Sequence, residues 1–331
     1  MNRFGYTRPE TVATALEQVR EIPGAQFLGG GTNLVDLIKE NIARPNVLVD
    51  VGRLPLDQVV RLPGGGLRIG ARVSNAAVAY HPEVGRAYPL LAKAILAGAS
   101  PQLRNMATTG GNLLQRTRCY YFYDPAVPCN KRVPGTGCPA KEGFNRIHAI
   151  LGTSEHCIAV HPSDMCVALA ALKATVHVEG PDGPRSIPFA EFHRLPGDTP
   201  EQDSSLRPAE LITAVELPAE DFSAHHAYLK VRDRDSYAFA LVSVAAALKL
   251  TAGRITQARL ALGGVAHKPW RDETAEALLL GQLPTDAVFK FVAAHVLLTA
   301  QGFQNNHFKI ELARRAIVRA LRGALTSEAQ P

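Results

Sequence analysis

The segment Phe27-Leu28-Gly29-Gly30-Gly31-Thr32-Asn33-Leu34 decides how the first part of the chain folds. Its three consecutive glycines stand between a predicted strand at 25–28 and a predicted short helix at 34–39. Consecutive backbone N–H groups exposed by such a loop form a concave site that suits an anionic phosphate. A tight turn that needs only positive φ angles is the alternative interpretation of the same glycines.

A Rossmann unit is disfavoured, although one of its marks is present. Asp50 ends the next predicted strand about 20 residues after the glycines, as the ribose-binding acid does in that fold. However, Leu34 stands where the third glycine of G-x-G-x-x-G belongs, and the following helix is too short for a standard βαβ unit.

A second loop has the same character. The segment Asn105-Met106-Ala107-Thr108-Thr109-Gly110-Gly111-Asn112 combines small residues with hydroxyl donors, so its backbone can come close to a ligand. Its alternative interpretation is again a turn. Two such loops, neither with a Walker A pattern, favour one dinucleotide with two phosphates over two chance turns.

Composition restricts the class of protein. The chain has 331 residues, 46% of them hydrophobic, which is enough for two or three domains with buried cores. No run of about 18 apolar residues occurs, so a membrane span is excluded. The net charge of +6 is dispersed, and nucleic-acid binding has little support.

The N-terminal segment lacks an apolar signal core and a twin-Arg pattern, so we expect no export address in this chain itself. Basic residues near the C-terminus, Lys309 among them, are expected on a solvated helix face.

All five cysteines lie between residues 119 and 166, spaced C-x9-C-x8-C-x18-C-x8-C. This spacing contains no close pair of the kind that structural zinc sites use, so zinc is disfavoured though not excluded. Four thiolates on a long loop suit an iron–sulfur cluster, whose core is larger than one ion. Buried free thiols are the alternative; that interpretation fits Cys166, which lies on a predicted apolar helix, and fits the other four poorly.

Several single residues have two interpretations. His148, His156 and His161 are potential metal ligands, but surface or supporting roles are favoured for each. Asp164 is either a helix cap or an acceptor for a polyol hydroxyl. Lys230 is either a solvated strand charge or a partner for an electron-rich ring. Motifs of hydrolytic catalysis are absent, so the sequence is typical of a cofactor carrier.

The predicted elements divide the chain in two. A strand at 211–217 is followed by a change of pattern, and three long strands come next at 227–232, 238–250 and 254–263. We predict a boundary within 218–223. At the start of the chain, Thr7 and Glu10 have capping-box spacing, which predicts that Thr7 is the N-cap of the first helix.

Five stretches resemble the FAD-binding medium subunit of the xanthine dehydrogenase family, and together they span essentially the whole chain. They are LGGGTNLVDLIK (28–39), QLRNMATTGGNLLQRTRC (102–119), HPSDMCVAL (161–169), KVRDRDSYAFALVSVAAAL (230–248) and ALGGVAHKPWR (261–271). The cysteine-rich stretch 118–164 narrows the likeness, because it resembles the FAD subunits of periplasmic molybdenum aldehyde oxidoreductases, which carry an inserted 4Fe–4S loop.

The resemblance implies an α+β fold in two domains. The first is a two-part FAD-binding domain of the vanillyl-alcohol-oxidase/PCMH type at 1–221, with subdomains at about 1–55 and 56–221 and an iron–sulfur loop at about 116–160. The second, at 222–331, is similar to the C-terminal domain of CO dehydrogenase flavoproteins and is expected to have a three-stranded sheet plus helices.

The resemblance also implies the cofactor contacts. The first glycine loop would hold the FAD pyrophosphate, the second would line the flavin, Asp164 would face the ribityl chain or ring edge, and Lys230 would lie near the isoalloxazine. The implied FAD contacts are Gln26, Phe27, Leu28, Gly29, Gly30, Gly31, Thr32, Asn33, Leu34, Thr108, Thr109, Gly111, Asn112, Asp164 and Lys230. The implied 4Fe–4S ligands are Cys119, Cys129, Cys138 and Cys157, with Cys166 left as a core thiol.

The implied activity is electron transfer in a complex that oxidises aldehydes to carboxylic acids. A large molybdopterin-binding subunit would carry the substrate chemistry, and a small subunit with 2Fe–2S clusters would pass electrons to FAD here and on to an acceptor such as ferredoxin or O2. The implied location is the periplasm, by co-export with a partner that bears a twin-Arg signal, or the cytoplasm. The alternatives are the equivalent subunit of a 4-hydroxybenzoyl-CoA reductase-like complex and a zinc- or disulfide-stapled, non-redox binding module.

Overall fold

A computed structural model describes residues 2–326 as three sheets with helices packed on them. The strands are β1 (Gly5–Thr7), β2 (Ala25–Leu28), β3 (Val47–Asp50), β4 (Val59–Arg61), β5 (Leu67–Gly70), β6 (Thr175–Gly180), β7 (Gly183–Pro188), β8 (Leu211–Leu217), β9 (His226–Val231), β10 (Val242–Thr251), β11 (Arg254–Gly263) and β12 (Trp270–Arg271). The helices are α1 (Val12–Glu21), α2 (Leu34–Lys39), α3 (Asn75–Ala79), α4 (Pro82–Ala87), α5 (Pro89–Ala97), α6 (Pro101–Met106), α7 (Thr109–Leu113), α8 (Tyr120–Tyr123), α9 (Asp164–Ala171), α10 (Phe189–Phe192), α11 (Glu273–Ala277), α12 (Asp286–Val296) and α13 (Phe308–Thr326). The last residues of the predicted C-terminal domain, 327–331, lie outside the described residues.

The first sheet is small and parallel, with the strand order β1-β3-β2. The helix that precedes β2 begins later than the capping pattern predicts. Thr7 lies in β1 and pairs with Val49, so its backbone is extended. Thr11 is the N-cap instead, and its Oγ1 accepts a hydrogen bond from the Thr14 amide at 3.2 Å. The prediction of Thr7 as the cap is therefore wrong, because strand pairing across the sheet outweighs the local pattern.

The second sheet has five antiparallel strands in the order β4-β5-β8-β6-β7. The inner face of this sheet shares a core with α5 and α9. Helix α9 contributes buried residues along its whole length. The strand predicted at 211–217 is found at those residues as β8.

The third sheet explains the long apolar run of β10. Its strand order is β12-β11-β10-β9, so the two-residue strand β12 adds to the three strands that the sequence predicts. Ala245 and Ala247 face the core that contains α5 and α9. Val244, Ala246 and Leu248 face the opposite core with α12 and α13. Because β10 is covered on both faces, both alternating sets of its side chains are apolar.

Lys309 contradicts the expected solvated helix face. It lies in the first turn of α13 and is 0% exposed, and its Nζ donates hydrogen bonds to the carbonyl oxygens of His148 and Gly264. Burial lowers the pKa of Lys309 to about 7. The side chain is buried because the irregular segment around His148 covers this end of the helix, a contact that helical periodicity cannot reveal.

Within the described part of the chain, no helix is long and apolar enough to cross a membrane.

Candidate functional site: two cofactor cavities

The two glycine-containing loops meet backbone to backbone. A Cβ atom on Gly30 would lie 1.7 Å from the Met106 carbonyl oxygen, and one on Gly29 would lie 2.9 Å from Thr108 Oγ1. Real Cβ atoms do not come so close, so a side chain on Gly30 would require the backbone of the second loop to shift, whereas one on Gly29 would require the Thr108 side chain to move. The sequence predicts that both loops serve one ligand, and the fold brings them into contact.

A cavity of about 640 Å³ opens beside this contact, a volume in the range of small-molecule and cofactor sites. Its wall combines residues from both loops, α9, β9 and β11. Of the predicted FAD contacts, those on the wall are Thr32, Gly111, Asn112, Asp164 and Lys230. The others lie outside this wall: Gln26, Phe27, Leu28, Gly29, Gly30, Gly31, Asn33, Leu34, Thr108 and Thr109. Among these, the buried Thr109 donates its hydroxyl to the Val73 carbonyl at 2.9 Å.

Three buried polar atoms of cavity-lining residues have no hydrogen-bond partner in the described structure. They are Asn75 Oδ1, Arg118 Nε and His161 Nε2. Leaving such groups unsatisfied is costly, so these three wall residues have unused hydrogen-bonding capacity. The wall also carries the Arg118 guanidinium beside both glycine loops, so the residues present fit the phosphates of FAD. Sequence reasoning did not place Asn75 and Arg118 at this cavity, because nothing near them in the chain indicates that they lie beside the glycine loops.

Two predicted contacts on the wall are paired with each other. Lys230 Nζ lies 2.7 Å from Asp164 Oδ2, and the two side chains are only 4% and 7% exposed. Tyr228 donates its hydroxyl to the other oxygen, Oδ1, at 2.6 Å. Burial and the neighbouring Asp164 carboxylate raise the pKa of Tyr228 well above its ordinary value. The first residue of α9 is therefore fixed to β9 by two charge-assisted hydrogen bonds at the cavity wall.

A second, smaller cavity is lined by four of the five cysteines: Cys119, Cys129, Cys138 and Cys157. Cys166 is absent from that lining; it lies on α9, is 0% exposed, and sits beside His161 and His193 with ligand atoms within 4.8 Å of one another. All five cysteines are free thiols, so a disulfide-stapled module loses its support. The fold thus places four of the cysteines at one cavity and Cys166 elsewhere.

Burial disfavours ionisation of two of the thiols of this cavity. Burial raises the pKa of Cys119 to about 12, although backbone N–H groups of Phe122 and Tyr121 oppose the rise. Burial likewise raises the pKa of Cys157 to about 11, against the charge of Lys131 and the Ala159 amide. Donors already directed at the sulfur atoms suit thiolates bound to a metal centre.

The spacing of the sulfur atoms argues against one zinc ion. Thiolates on a single zinc would lie about 3.8 Å apart, since each Zn–S bond is about 2.3 Å and the geometry is tetrahedral. Among the described residues, no three of these four cysteines bring their sulfur atoms within 4.8 Å of one another. A core with several metal atoms fits the wider spacing better.

The three histidines of this region have different surroundings. His148 is 1% exposed, and its Nε2 lies 3.1 Å from Cys119 Sγ. Burial lowers the pKa of His148 to about 4. His156 lines the cysteine cavity but is half exposed and lies 3.5 Å from Asp198. His161 lines the larger cavity and lies outside the lining of the cysteine cavity.

Arg118 links the two cavities. It directly precedes Cys119, and its Nη2 donates to Asn33 Oδ1 of the first glycine loop at 3.0 Å. Its Nη1 lies 2.9 Å from Asp36 in α2. The cysteine loop therefore begins at the wall of the larger cavity.

Comparison with known proteins assigns the chain to a family. Residues 2–220 match the FAD-binding domain of molybdopterin dehydrogenases, and residues 226–324 match the CO dehydrogenase flavoprotein C-terminal domain. The chain belongs to the FAD-binding medium subunits of the xanthine dehydrogenase family. This medium subunit is 52% identical to the aldehyde oxidoreductase FAD-binding subunit PaoB of Escherichia coli (strain K12), over 97% of this chain and 98% of that protein.

More distant relatives share the same architecture. The medium subunit is 24% identical to the carbon monoxide dehydrogenase medium chain of Afipia carboxidovorans, over 96% of each chain. The solved carbon monoxide dehydrogenase from Hydrogenophaga pseudoflava matches with a TM-score of 0.76 and 25% identity, over 98% of this chain and 97% of that one. The medium subunit is thus the FAD-binding oxidoreductase subunit of a molybdenum hydroxylase complex.

Proposed function

We propose that this medium subunit carries both FAD and a 4Fe–4S cluster and transfers electrons in a complex that oxidises aldehydes to carboxylic acids. The observation that carries the proposal is the cavity lined by four cysteines, which Arg118 connects to the cavity lined by the glycine loops. The aldehyde substrate class is taken from the name of the E. coli relative at 52% identity. The same identity favours this proposal over a 4-hydroxybenzoyl-CoA reductase-like complex.

In the larger cavity, the chain's own residues bind and orient the flavin nucleotide. Thr32, Gly111 and Asn112 bring both glycine loops to the wall, and the Arg118 guanidinium adds a positive charge that suits phosphate oxygens. The polar side chains of Asn75 and His161 lie on the same wall. The Asp164–Lys230 pair holds α9 against β9 and thereby fixes the shape of the wall. FAD, when bound, supplies exchange of electrons in pairs or singly.

In the smaller cavity, Cys119, Cys129, Cys138 and Cys157 are the proposed ligands. Binding requires each thiol to lose its proton, and the backbone donors around the sulfurs favour the resulting thiolates. The cluster, when bound, exchanges single electrons.

The complex proposed here has a large molybdopterin-binding subunit and a small 2Fe–2S subunit. Electrons would reach this subunit from the 2Fe–2S clusters and leave to ferredoxin or O2 as acceptor. The proposed location is the periplasm, after co-export with a partner that bears a twin-Arg signal. We also propose the domain limits 1–221 and 222–331, which agree in position with the extents of the two family matches.

Iron and flavin quantification of the anaerobically purified complex tests this function. Cys129→Ser should lower the iron content by about four atoms per complex relative to the wild type, and FAD should be retained. Cys166→Ala is the matched control, because it removes the one cysteine outside the cavity and should leave the iron content unchanged. Equal iron in the wild type and Cys129→Ser, or loss of iron in Cys166→Ala, would overturn the ligand assignment.

A further inference from the structure

The side chain of His148 lies against one sulfur of the four-cysteine cavity. Its Nε2 is 3.1 Å from Cys119 Sγ, and the ring is 1% exposed. Within the described residues, this is the one hydrogen bond between a side chain and any of the four cavity sulfurs. Cys157 Sγ accepts a hydrogen bond from the Ala159 backbone amide at 3.4 Å.

The direction of this hydrogen bond follows from the state of the sulfur. A ligating thiolate carries no proton, so the 3.1 Å contact with Cys119 Sγ is a hydrogen bond only when His148 Nε2 carries one. The opposite tautomer would set the Nε2 lone pair against the negatively charged sulfur. With the proton on Nε2, the ring donates to Cys119 Sγ.

The backbone of His148 is held firmly by the C-terminal domain. Its carbonyl oxygen accepts from Lys309 Nζ at 2.7 Å and from Asn306 Nδ2 at 3.2 Å, and both of those side chains are 0% exposed. Its amide donates to the Asn145 carbonyl at 2.9 Å. Lys309 also donates to the carbonyl of Gly264, which lines the larger cavity. The imidazole is therefore presented to the sulfur by a rigid, buried support.

We infer that His148 is a positioning residue that raises the reduction potential of the cluster by donating its Nε2–H to the Cys119 thiolate. The inference rests on the proposed 4Fe–4S function. Hydrogen bonds to ligating sulfurs are one of the levers that set the potential of an iron–sulfur centre. They stabilise the reduced state more than the oxidised state, because reduction adds negative charge to the sulfurs. Removing the donor should make the cluster harder to reduce.

A redox titration of the complex, followed by EPR, tests the inference. His148→Phe removes the N–H group but keeps a planar ring. The midpoint potential of the cluster should be more negative in this variant than in the wild type, and the iron content should be the same. His148→Gln restores an N–H donor at a similar reach and should return the potential toward the wild-type value. His156→Gln is the control, because His156 lines the same cavity without a hydrogen bond to sulfur.

The outcomes separate the two proposals. Absence of cluster iron from the wild-type cavity would overturn the proposed function itself. Iron bound with an unchanged potential in His148→Phe, or an equal shift in His156→Gln, would overturn the role of His148 alone. If His148→Phe loses its cluster, pulsed EPR of the wild type labelled with 15N-histidine decides. Coupling to a histidine nitrogen and an exchangeable proton supports the hydrogen bond, and their absence overturns it.

Discussion

Gly30 shows how one residue is fixed by a contact far along the chain. Its missing side chain is what allows the Met106 carbonyl to approach, since a Cβ there would lie 1.7 Å from the oxygen. Backbone cannot yield as the end of a flexible side chain can, so a larger residue must push the loops apart.

Gly30→Ala should therefore weaken both the fold and flavin binding. We expect the free energy of unfolding to fall by about 2 kcal/mol, a typical cost of overpacking. The flavin-to-protein ratio after gel filtration should fall with it, because the loops form the cavity together. Urea unfolding and the flavin absorbance measure the two effects.

Gly64→Ala is the matched control for this substitution. Gly64 lies in a turn, and a Cβ added to it would meet no atom within 4 Å. Its stability and flavin content should equal those of the wild type. If Gly30→Ala behaved in the same way, the close contact of the loops would not be needed for cofactor binding.

Among the elements, α9 and β9 depend on one buried ion pair. The contact joins Asp164, at the first position of α9, to Lys230 on a strand of the other domain. Breaking a buried pair on one side leaves an uncompensated charge, which costs more than the pair itself contributes.

Asp164→Asn should destabilise the chain by about 3 kcal/mol, because Lys230 is then buried without its counter-charge. Lys230→Met should also destabilise it. The loss of stability in the double variant should be smaller than the sum of the two single losses, with a coupling free energy of about 2 kcal/mol in a double-mutant cycle. Purely additive effects in urea unfolding would contradict the pairing.

Element boundaries follow the sequence where local signals act alone. Ser74 caps α3 with a side-chain hydrogen bond, as its residue type suggests. Ser163 caps α9, so Asp164, which the sequence offers as a helix cap, is instead the first residue of that helix. β8 and β11 begin and end at the predicted residues. Thr7 fails as a cap because it pairs with β3, a partner that no local pattern specifies.

At the scale of the whole molecule, Asp203 ties the cysteine loop to the rest of the structure. Its carboxylate pairs with Lys131 of the cysteine loop, and with Arg116 at 2.7 Å. Lys131 also contacts His267 of the C-terminal domain at 2.7 Å. Burial alone would raise the pKa of Asp203, but the charges of Lys131 and Arg116 outweigh it and lower the pKa to about 2.

The stability of the chain should consequently fall in acid. The pKa of Asp203 is about 2 in the folded chain and has its ordinary value of 3.8 when unfolded, so the stabilisation is complete above about pH 4. It is lost as the pH falls toward 2, and its size is about 2 kcal/mol. Asp203→Asn should remove this amount at pH 7 and flatten the profile between pH 4 and 2, as measured by urea unfolding.

Asp198→Asn provides the comparison for the acid profile. Asp198 lies in the same segment, but its side chain is 97% exposed. The free energy of unfolding of Asp198→Asn should equal that of the wild type at every pH. An equal loss in Asp198→Asn would show that the general surface charge, rather than the Lys131–Asp203 contact, governs the acid response.

Residue type and local order are enough to predict several parts of this protein. Glycines in series predict the two loops, and apolar runs predict the long strands. Cysteines set among Pro, Gly, Asn and Arg are distinguished from Cys166, which lies on a predicted apolar helix. These signals are local, because backbone freedom, side-chain periodicity and the surroundings of a thiol are properties of short segments.

Which of these parts meet depends on long-range packing. Asn75, Arg118 and His161 come from distant segments, and they line one cavity because both glycine loops, α9 and the third sheet meet there. Lys309 follows the pattern of a solvated helix face, yet it is buried where the segment around His148 crosses α13. Long-range packing selects these contacts by shape and by the need to satisfy buried polar groups, and neither requirement is written in a short stretch of sequence.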